Sequence, residues 1–325
     1  MTRRAAVIGC GDISQLHFKS LDEANAELVA ICDVDPDRLA AVVPDRQVER
    51  VSDHRQLLDR DDIDVVHICT PHNQHVPVAL DFLAAGKHVL TEKPIAASLE
   101  EADELVQASK ETDRKVGVCF QNRYNKPFAA AKEILDSGRL GAVLSAGASV
   151  LWHRTPEYYR ARPWRGSREG SGGGVLINQA IHTIDMVQWL VGDVTEVTGS
   201  AGTYGLADVI EVEDTATVAM RHENGVRSVL VATNLNPVNA PVTIDIKTEK
   251  ALVHLAGDLT ITHDNGEVET VADEKVATGA RAYWGTSHGL LVKAFHEHLD
   301  QPGPFWIDPV EGYKALWILK QVLGY

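Results

Sequence analysis

The alternation of short apolar runs with amphipathic stretches over the first 120 residues constrains the fold of this chain most. The apolar runs are nearly continuous: AAVIG, ELVAICD, DVVHICT, KHVLTEK and VGVCF. Such runs are typical of parallel strands that are covered on both faces, and the amphipathic stretches between them predict the covering helices. Ser98, followed by Glu101, marks the start of one of these helices. The pattern predicts right-handed crossovers and an α/β fold with a doubly wound parallel sheet.

The pattern changes after about residue 124, where a second set of elements is predicted. A helix over NKPFAAAKEILDSG leads to a long strand near 140–151 and a helix at about 174–191. Residues 214–233 read as a β-hairpin in which Asn224 and Gly225 supply two positions with positive φ. Strands over about 241–272 are expected to complete an open mixed or antiparallel sheet. Two helices, at about 287–300 and 308–323, follow.

Composition excludes several classes of protein. The chain has 31 Lys and Arg against 46 Asp and Glu, a net charge of −15, which argues against a nucleic-acid partner because phosphate binding requires a basic surface. No uninterrupted apolar window reaches about 18 residues, so no membrane span is expected. The N-terminal segment reaches Gly9 too soon for a signal peptide, which favours a cytoplasmic location. The four cysteines are too few for a disulfide scaffold and are expected to be buried thiols; no metal site is expected.

A glycine loop follows the first predicted strand. In Gly9-Cys10-Gly11-Asp12-Ile13-Ser14 the glycines suit a sharp turn and a close approach to a pyrophosphate, and the helix that follows presents free N–H groups. Ser14 stands where a third glycine is usual. Asp33 ends the second strand, where a carboxylate accepts hydrogen bonds from a ribose and repels a 2′-phosphate. This combination favours NAD over NADP, although Arg38 is close enough to soften the preference.

Three further motifs complete a resemblance. They are TPHNQH at 70–75, EKP at 92–94 and GGGVLINQAIHTID at 172–185. Together with the glycine loop, and over essentially the whole chain, they resemble the Gfo/Idh/MocA family of NAD(P)-dependent oxidoreductases. The resemblance implies a dinucleotide-binding Rossmann domain over 1–123. It also implies a substrate-binding and oligomerisation domain over 124–325, with a last helix that can pack back on the first domain.

The resemblance also implies which residues surround the cofactor and the substrate. Besides the residues of the glycine loop, Asp33 and Arg38, it assigns to the cofactor Thr70, Pro71, Asn73, His75, Glu92, Lys93, Asn122, Trp164 and Arg165. It assigns to the substrate Lys93, Arg123, His153, Asn178 and His182.

Oxidation of a secondary alcohol needs a base within hydrogen-bonding reach of the hydroxyl. Asn178, His182 and Asp185 fall at i, i+4 and i+7 and share one face of the predicted helix. A histidine in such a stripe is more often structural, but the family motif favours His182 as the acid/base. Lys93 is expected to stabilise alkoxide character on the reacting oxygen, against the alternative of a surface lysine. Many relatives carry aspartate at the position of Asn178. In this chain, the amide of Asn178 is expected to orient a substrate hydroxyl.

The segment 152–169 has five arginines and two glutamates among four Trp and Tyr residues. Aromatic faces suit sugar rings, and arginines suit hydroxyl, phosphate or carboxylate groups. The alternative is that these arginines form intramolecular or subunit-interface ion pairs.

The leading hypothesis is an NAD-dependent dehydrogenase of a sugar, sugar derivative or cyclitol. An NAD-assisted glycosidase and a non-catalytic ligand sensor of the same fold are the alternatives. A homodimer or homotetramer is expected because an open sheet would otherwise expose a large face.

Overall fold

The computed structural model describes residues 2–273 and 287–325 and separates into two compact units. The first unit comprises residues 1–121 with 286–313, and the second comprises 122–285 with 314–325. The predicted domain boundary after residue 123 stays a prediction. Among the described residues, no helix is both long enough and apolar enough to cross a membrane.

The first unit contains a six-stranded parallel sheet in the order β3-β2-β1-β4-β5-β6. The five predicted apolar runs form every strand but β3, which no apolar run marks. Its strands are β1 (Arg4–Ile8), β2 (Glu27–Cys32), β3 (Glu49–Val51), β4 (Val65–Ile68), β5 (His88–Thr91) and β6 (Val116–Val118). The helices between them are α1 (Ser14–Glu23), α2 (Pro36–Ala41), α3 (His75–Ala84) and α4 (Leu99–Lys110). Ser98 Oγ accepts the N–H of Glu101, so the predicted helix start is confirmed.

The second unit contains an eight-stranded mixed sheet in the order β14-β13-β12-β11-β7-β10-β9-β8. Its helices are α5 (Lys126–Asp136), α6 (Pro156–Arg160), α7 (Arg168–Ser171) and α8 (Ile181–Val191). Its strands are β7 (Val143–Leu151), β8 (Val194–Gly202), β9 (Thr215–His222), β10 (Arg227–Thr233), β11 (Thr243–Thr248), β12 (Ala251–Ala256), β13 (Asp258–His263) and β14 (Val268–Val271). β7 and β10 are parallel, and the other pairs are antiparallel.

The two last predicted helices are confirmed as α9 (Ser287–His298) and α10 (Pro309–Leu323). Helix α9 packs against α1 of the first unit. The four cysteines are free and buried, as expected.

The prediction for the β9–β10 turn was partly wrong. The two strands form the expected hairpin, but of the two turn residues only Gly225 has positive φ, at 84°. The Asn224 side chain instead donates to Val191 O at 2.7 Å and accepts the N–H of Val226 at 3.1 Å. The loop is therefore longer than a two-residue turn, and Asn224 fixes it through side-chain hydrogen bonds.

Candidate functional site

The glycine loop between β1 and α1 has the geometry of a phosphate-binding turn. Gly9 has φ of +94°, and a Cβ there would lie 2.6 Å from the carbonyl carbon and oxygen of Cys69, so only glycine fits. A Cβ on Gly11 would meet no atom within 4 Å, so the backbone there is open to a ligand. Ser14 is accommodated as the first residue of α1, where its Oγ donates to Gly11 O at 2.7 Å. Asp12 and Ile13 lie half-buried between them.

Asp33 lies directly beside this loop, although it is 22 residues away from Gly11 in the sequence. Its Oδ2 accepts the N–H of Cys10 at 2.7 Å, and its Oδ1 accepts the N–H of Asp35 at 2.9 Å. Burial, and then the charge of Asp33, raise the pKa of the Cys10 thiol to about 12, so the thiol stays protonated. The Arg38 guanidinium pairs with Asp35, with 3.2 Å between Nε and Oδ2.

Two more of the predicted segments meet at the carboxyl ends of the neighbouring strands β4 and β5. Thr70, Pro71 and Asn73 follow β4 and are half-buried. His75 is buried between the segments, with Nδ1 2.7 Å from Pro94 O and Nε2 3.0 Å from Thr70 O. Burial lowers the pKa of His75, against the opposing effect of these carbonyls. His75 therefore ties the segment after β4 to the EKP segment after β5.

Glu92 is buried and bound by two histidines that the sequence analysis did not assign to the site. Its Oε1 lies 3.0 Å from His17 Nε2 and 3.2 Å from His288 Nε2, and its Oε2 accepts the backbone N–H of Lys93 at 3.3 Å. Burial alone would raise the pKa of Glu92, but the hydrogen bonds from His17 and His288 outweigh it and hold that pKa well below its usual range. Glu92 is therefore an ionised carboxylate next to Lys93.

One group of side chains in the first unit has the composition of a metal-ligand set. Donor atoms of His17, Glu92 and Cys119 lie within 4.8 Å of one another. Burial, followed by the charge of Glu92, raises the pKa of the Cys119 thiol well above its ordinary value. A metal ion would have to displace the proton of this thiol to use Cys119 as a ligand.

In the second unit, Asn178 lies in a π-helical turn (Leu176–Ala180) that runs directly into α8. Such single turns are frequent at functional sites. Asn178 and His182 are half-buried in a segment whose other residues are largely buried, as the polar stripe predicts. The Asn178 amide Nδ2 donates within the glycine segment, at 2.9 Å to Ser171 Oγ and at 3.2–3.3 Å to the carbonyl oxygens of Gly174 and Gly173.

The glycine segment before this turn is held by Glu213, which the sequence analysis missed. Its carboxylate accepts the N–H of Gly174 at 2.8 Å and of Leu176 at 2.9 Å. A Cβ on Gly174 would lie 1.8 Å from Glu213 O, which explains the glycine. Burial raises the pKa of Glu213, although hydrogen bonds from the backbone oppose this shift. Since Glu213 lies about 35 residues beyond Asn178 in the sequence, no local pattern connects the two.

Asp185, the third residue of the polar stripe, is buried and forms an ion pair with Arg123. Arg123 donates to it from Nε at 3.1 Å and from Nη2 at 2.6 Å, and both side chains are only 1% exposed. The guanidinium also lies 5.5 Å from the ring centroid of Trp189. Arg123 thereby fixes the turn after β6, which holds half-buried Asn122, to helix α8.

Two arginines of the segment 152–169 lie against aromatic rings of the same segment. Arg165 lies 4.7 Å from the Tyr158 ring and 5.7 Å from the ring of Trp164, and Arg154 lies 4.8 Å from the Trp152 ring. His153 is exposed, with Nδ1 3.0 Å from Asn236 O. The contacts of Arg165 and Arg154 are cation–π contacts, and an intramolecular ion pair of the expected kind joins Arg160 to Glu157, with 3.1 Å between Nη1 and Oε1.

Within the first unit, the predicted cofactor residues thus form a site that fits a dinucleotide. An uncrowded glycine loop precedes a helix, a carboxylate lies beside the loop, and polar segments follow the adjacent strands. Within the second unit, α8 and the π-helical turn present Asn178 and His182.

Comparisons with known proteins agree with this geometry. The family model for the oxidoreductase family with an NAD-binding Rossmann fold matches residues 3–120, and the GFO/IDH/MocA C-terminal domain matches residues 128–254. The chain is 33% identical over 232 residues to inositol 2-dehydrogenase 2 of Saccharopolyspora erythraea, covering 70% of this chain and 65% of that protein. It is 31% identical over 225 residues to levoglucosan dehydrogenase of Pseudarthrobacter phenanthrenivorans, covering 62% and 58%. The matched part therefore spans less than two thirds of these relatives' length.

A solved structure extends the likeness over nearly the whole chain. The WlbA dehydrogenase from Bordetella pertussis, in complex with NADH and UDP-GlcNAcA, superimposes with a TM-score of 0.85 at 30% identity, covering 99% of this chain and 95% of that one. With both domain models matched and the site geometry in agreement, the chain belongs to the Gfo/Idh/MocA family of oxidoreductases and contains its NAD-binding Rossmann fold.

Proposed function

We propose that this protein is an NAD-dependent dehydrogenase that oxidises a secondary alcohol of a sugar, sugar derivative or cyclitol. The observation that carries the proposal is the EKP segment after β5, where Lys93 adjoins the buried, ionised Glu92. An ammonium group at that position suits an oxygen that gains negative charge as a hydride leaves the neighbouring carbon. NAD, when bound, supplies the hydride acceptor.

The preference for NAD over NADP rests on Asp33. Its carboxylate already binds the glycine loop through Cys10 N–H, so a second negative charge from a 2′-phosphate would be repelled. Arg38 does not offset this effect, because its guanidinium pairs with Asp35.

The proposed roles of the side chains follow their chemistry. Lys93 donates to the reacting oxygen, and His182 takes the proton of the hydroxyl. Asn178 orients a second hydroxyl, while its Nδ2 holds the glycine segment. Trp164, Arg165, Asn122, Arg123 and His153 stay proposed contacts of cofactor or substrate.

The substrate class is supported by the relatives. Two relatives are named for dehydrogenation of inositol and levoglucosan, and the WlbA complex contains UDP-GlcNAcA. All three are polyhydroxylated rings, which is the class proposed here.

The test is NADH formation, followed by absorbance, with NAD and NADP in parallel. The panel contains cyclitols, free sugars, anhydrosugars, phosphorylated sugars and nucleotide-linked sugar acids. Activity with NAD that Lys93→Met abolishes, and an Asp33→Ser variant that gains activity with NADP, are the expected results. NAD binding by calorimetry without turnover on any member would contradict the proposal and favour a glycosidase or a ligand sensor.

We also propose that the protein is a cytoplasmic homodimer or homotetramer without nucleic-acid or membrane partners. The outward face of the second sheet supports the assembly, since Val229, Val231 and Leu252 are 56%, 41% and 41% exposed on it. The register places these side chains on one face, because Lys247 pairs with both Ser145 and Leu252 while Ser145 pairs with Arg227. The net charge of −15 supports the absence of a nucleic-acid partner.

A further inference from the structure

A continuous chain of buried side chains leads away from Glu92 through the first unit. Glu92 Oε1 lies 3.0 Å from His17 Nε2, His17 Nδ1 lies 2.9 Å from His67 Nδ1, and His67 Nε2 lies 3.0 Å from His296 Nε2. His17 and His67 are 0% exposed, Glu92 is 5% exposed and His296 is 8% exposed. Each of the two inner histidines uses both ring nitrogens, one toward each neighbour.

The chain runs from one edge of the parallel sheet toward the other. Glu92 follows β5 at the carboxyl edge, where the glycine loop and Lys93 also lie. His67 is within β4, His17 is on α1 and His296 is on α9. The charged groups that act on His296 are Arg3, His88, Asp64 and His17, of which the first three lie at the amino ends of β1, β5 and β4.

The outer end of the chain, His296 Nδ1, is itself buried, but partly exposed charged side chains lie at this amino edge. The Arg3 and Asp64 side chains are 26% and 37% exposed and lie 3.7 Å apart. His296 Nδ1 has no hydrogen-bond partner within residues 2–273 and 287–325. The last nitrogen of the chain is thus the one that is not committed to a neighbour.

Protonation states follow from the contacts. The ionised Glu92 accepts N–H groups from Nε2 of His17 and of His288. Burial, with the neighbouring His17 and His296, holds the pKa of His67 well below its usual value, and burial, with Arg3 and His88, lowers that of His296 to about 4. Both rings are therefore neutral near pH 7 and carry one proton each.

With one proton on each of the three rings, His17 included, only one arrangement satisfies every contact. His17 carries its proton on Nε2, His67 on Nδ1 and His296 on Nε2, so that each donates toward Glu92. His67 is the diagnostic member, because it must hold the Nδ1–H form while its Nε2 accepts from His296. Neutral imidazoles with one donor and one acceptor nitrogen, joined in series, can pass protons by shifting each by one hydrogen bond.

We propose that His17, His67 and His296 relay protons between Glu92 and solvent at the amino edge of the sheet during the dehydrogenase reaction. The inference rests on the proposed function. Its new content is that Glu92, beside Lys93, exchanges a proton with solvent across the Rossmann domain, separately from the hydroxyl proton that His182 takes. The histidines act through Glu92 and contact no reacting atom themselves.

The step balances as follows in the direction of ketone reduction. One solvent proton binds His296 Nδ1, and His296 Nε2–H passes to His67 Nε2. His67 Nδ1–H then passes to His17 Nδ1, and His17 Nε2–H passes to the Glu92 carboxylate. One proton enters, one arrives at Glu92, and no electron is transferred. Alcohol oxidation reverses these transfers, and ring rotation or an opposite passage restores the resting N–H positions.

The first test needs no substrate. In NMR spectra of ¹⁵N-histidine-labelled protein, with and without NAD, His67 is expected to be neutral with its proton on Nδ1, a signal that His67→Gln removes. A His67 that carries its proton on Nε2, or that is charged at pH 7, would overturn the proposal. Stoichiometric zinc or another divalent metal bound to the purified protein would overturn it too, because a metal on His17 and Glu92 blocks the relay.

The second test uses the active enzyme and the best substrate of the panel. His67→Gln keeps a donor and an acceptor but cannot change tautomer, so kcat is expected to fall about 10-fold with KM little changed. The solvent deuterium isotope effect on kcat is expected to rise, and proton release to a pH indicator is expected to lag behind NADH formation. His222→Gln is the matched control, because His222 is equally buried and bonds through both ring nitrogens to Gly192 O and Ser228 Oγ.

The outcomes separate the relay from the proposed function. Wild-type activity and an unchanged isotope effect in His67→Gln would make the chain a static network and overturn the relay. Absence of turnover in the wild-type protein would contradict the proposed function, while the NMR measurement would still decide whether the histidines are arranged to carry protons.

Discussion

At the scale of single residues, the two glycines of the first loop differ in what they are needed for. Gly9→Ala places a methyl group 2.6 Å from the Cys69 carbonyl at φ of +94°, so we expect a loss of at least about 1–3 kcal/mol in the free energy of unfolding. Gly11→Ala meets no protein atom, so stability is expected to change by less than about 0.5 kcal/mol. Urea unfolding of both variants checks this prediction.

The same two variants distinguish an effect on folding from an effect on cofactor binding. A methyl group on Gly11 occupies the space that a pyrophosphate needs, so we expect NAD to bind more than about tenfold more weakly to Gly11→Ala. Calorimetric titration with NAD measures this effect. Equal NAD affinity in Gly11→Ala and the wild-type protein would place the dinucleotide elsewhere.

Glu213 gives a prediction on pH. Burial raises its pKa in the folded state, so the protonated form favours folding; this contribution is full below the unfolded pKa of about 4.3 and is lost as pH rises through the folded pKa. Glu213→Gln removes the cost of the buried charge. Relative to wild type, the stability of the variant is therefore expected to rise as the pH increases from about 4 through the folded pKa of Glu213.

Melting temperatures across that range measure the gain. Glu211→Gln is the control, because Glu211 is exposed two residues away and its replacement should shift the melting temperature equally at each pH. A melting temperature of Glu213→Gln that falls further below the wild-type value as the pH rises would contradict the raised pKa of Glu213.

At the scale of secondary-structure elements, Arg123 and Asp185 join the turn after β6 to helix α8 by a buried pair. Arg123→Met removes the guanidinium from the buried carboxylate of Asp185, and we expect a loss of about 3–5 kcal/mol in the free energy of unfolding. Arg123→Met combined with Asp185→Leu is expected to recover most of that loss, because no charge is then left buried.

A double-mutant cycle in urea measures the coupling between the two side chains. The exposed pair Arg221–Glu196 is the control, where the same kind of substitution should have little effect. Loss of stability in the double variant as large as in Arg123→Met would show that shape, and not charge, holds these elements together.

The elements also show what the sequence could predict. Five strands of the first sheet follow from continuous apolar runs, and the glycine loop and Asp33 follow from their positions at strand ends, because both are local signals. The short strand β3, with the sequence ERV, has no such run. The π-helical turn at Leu176–Ala180 has no local signal, since its residues also fit an ordinary helix.

Contacts between residues that are distant in sequence could not be predicted, because they also lack a local signal. His17, His67 and His296 meet across separations of 50 and 229 residues, and Asp185 meets Arg123 across 62. No periodicity connects such positions, so their pairing becomes visible only in the fold.

At the scale of the whole molecule, the exposed apolar face of the second sheet leads us to expect a homo-oligomer. Val229→Glu on its outward face is expected to convert the proposed oligomer to smaller species, because a charge would be buried against the neighbouring copy. Light scattering after size exclusion measures the mass. Val238→Glu is the control, since Val238 is exposed in the loop after β10. A wild-type protein that is monomeric at micromolar concentration would contradict the proposal.

The return of residues 286–313 to the first unit has a consequence for synthesis of the protein. The six strands of the first sheet have been synthesised by residue 121, yet α9, which packs on α1 and supplies His288 to the buried Glu92, is made only after about 165 further residues. At about 5–20 residues per second that interval is roughly 8–30 s. During it the nascent Rossmann sheet has an ionised carboxylate and an apolar helix face uncovered, so a truncated chain of residues 1–121 is not expected to reach the native fold, although it contains every strand of that sheet.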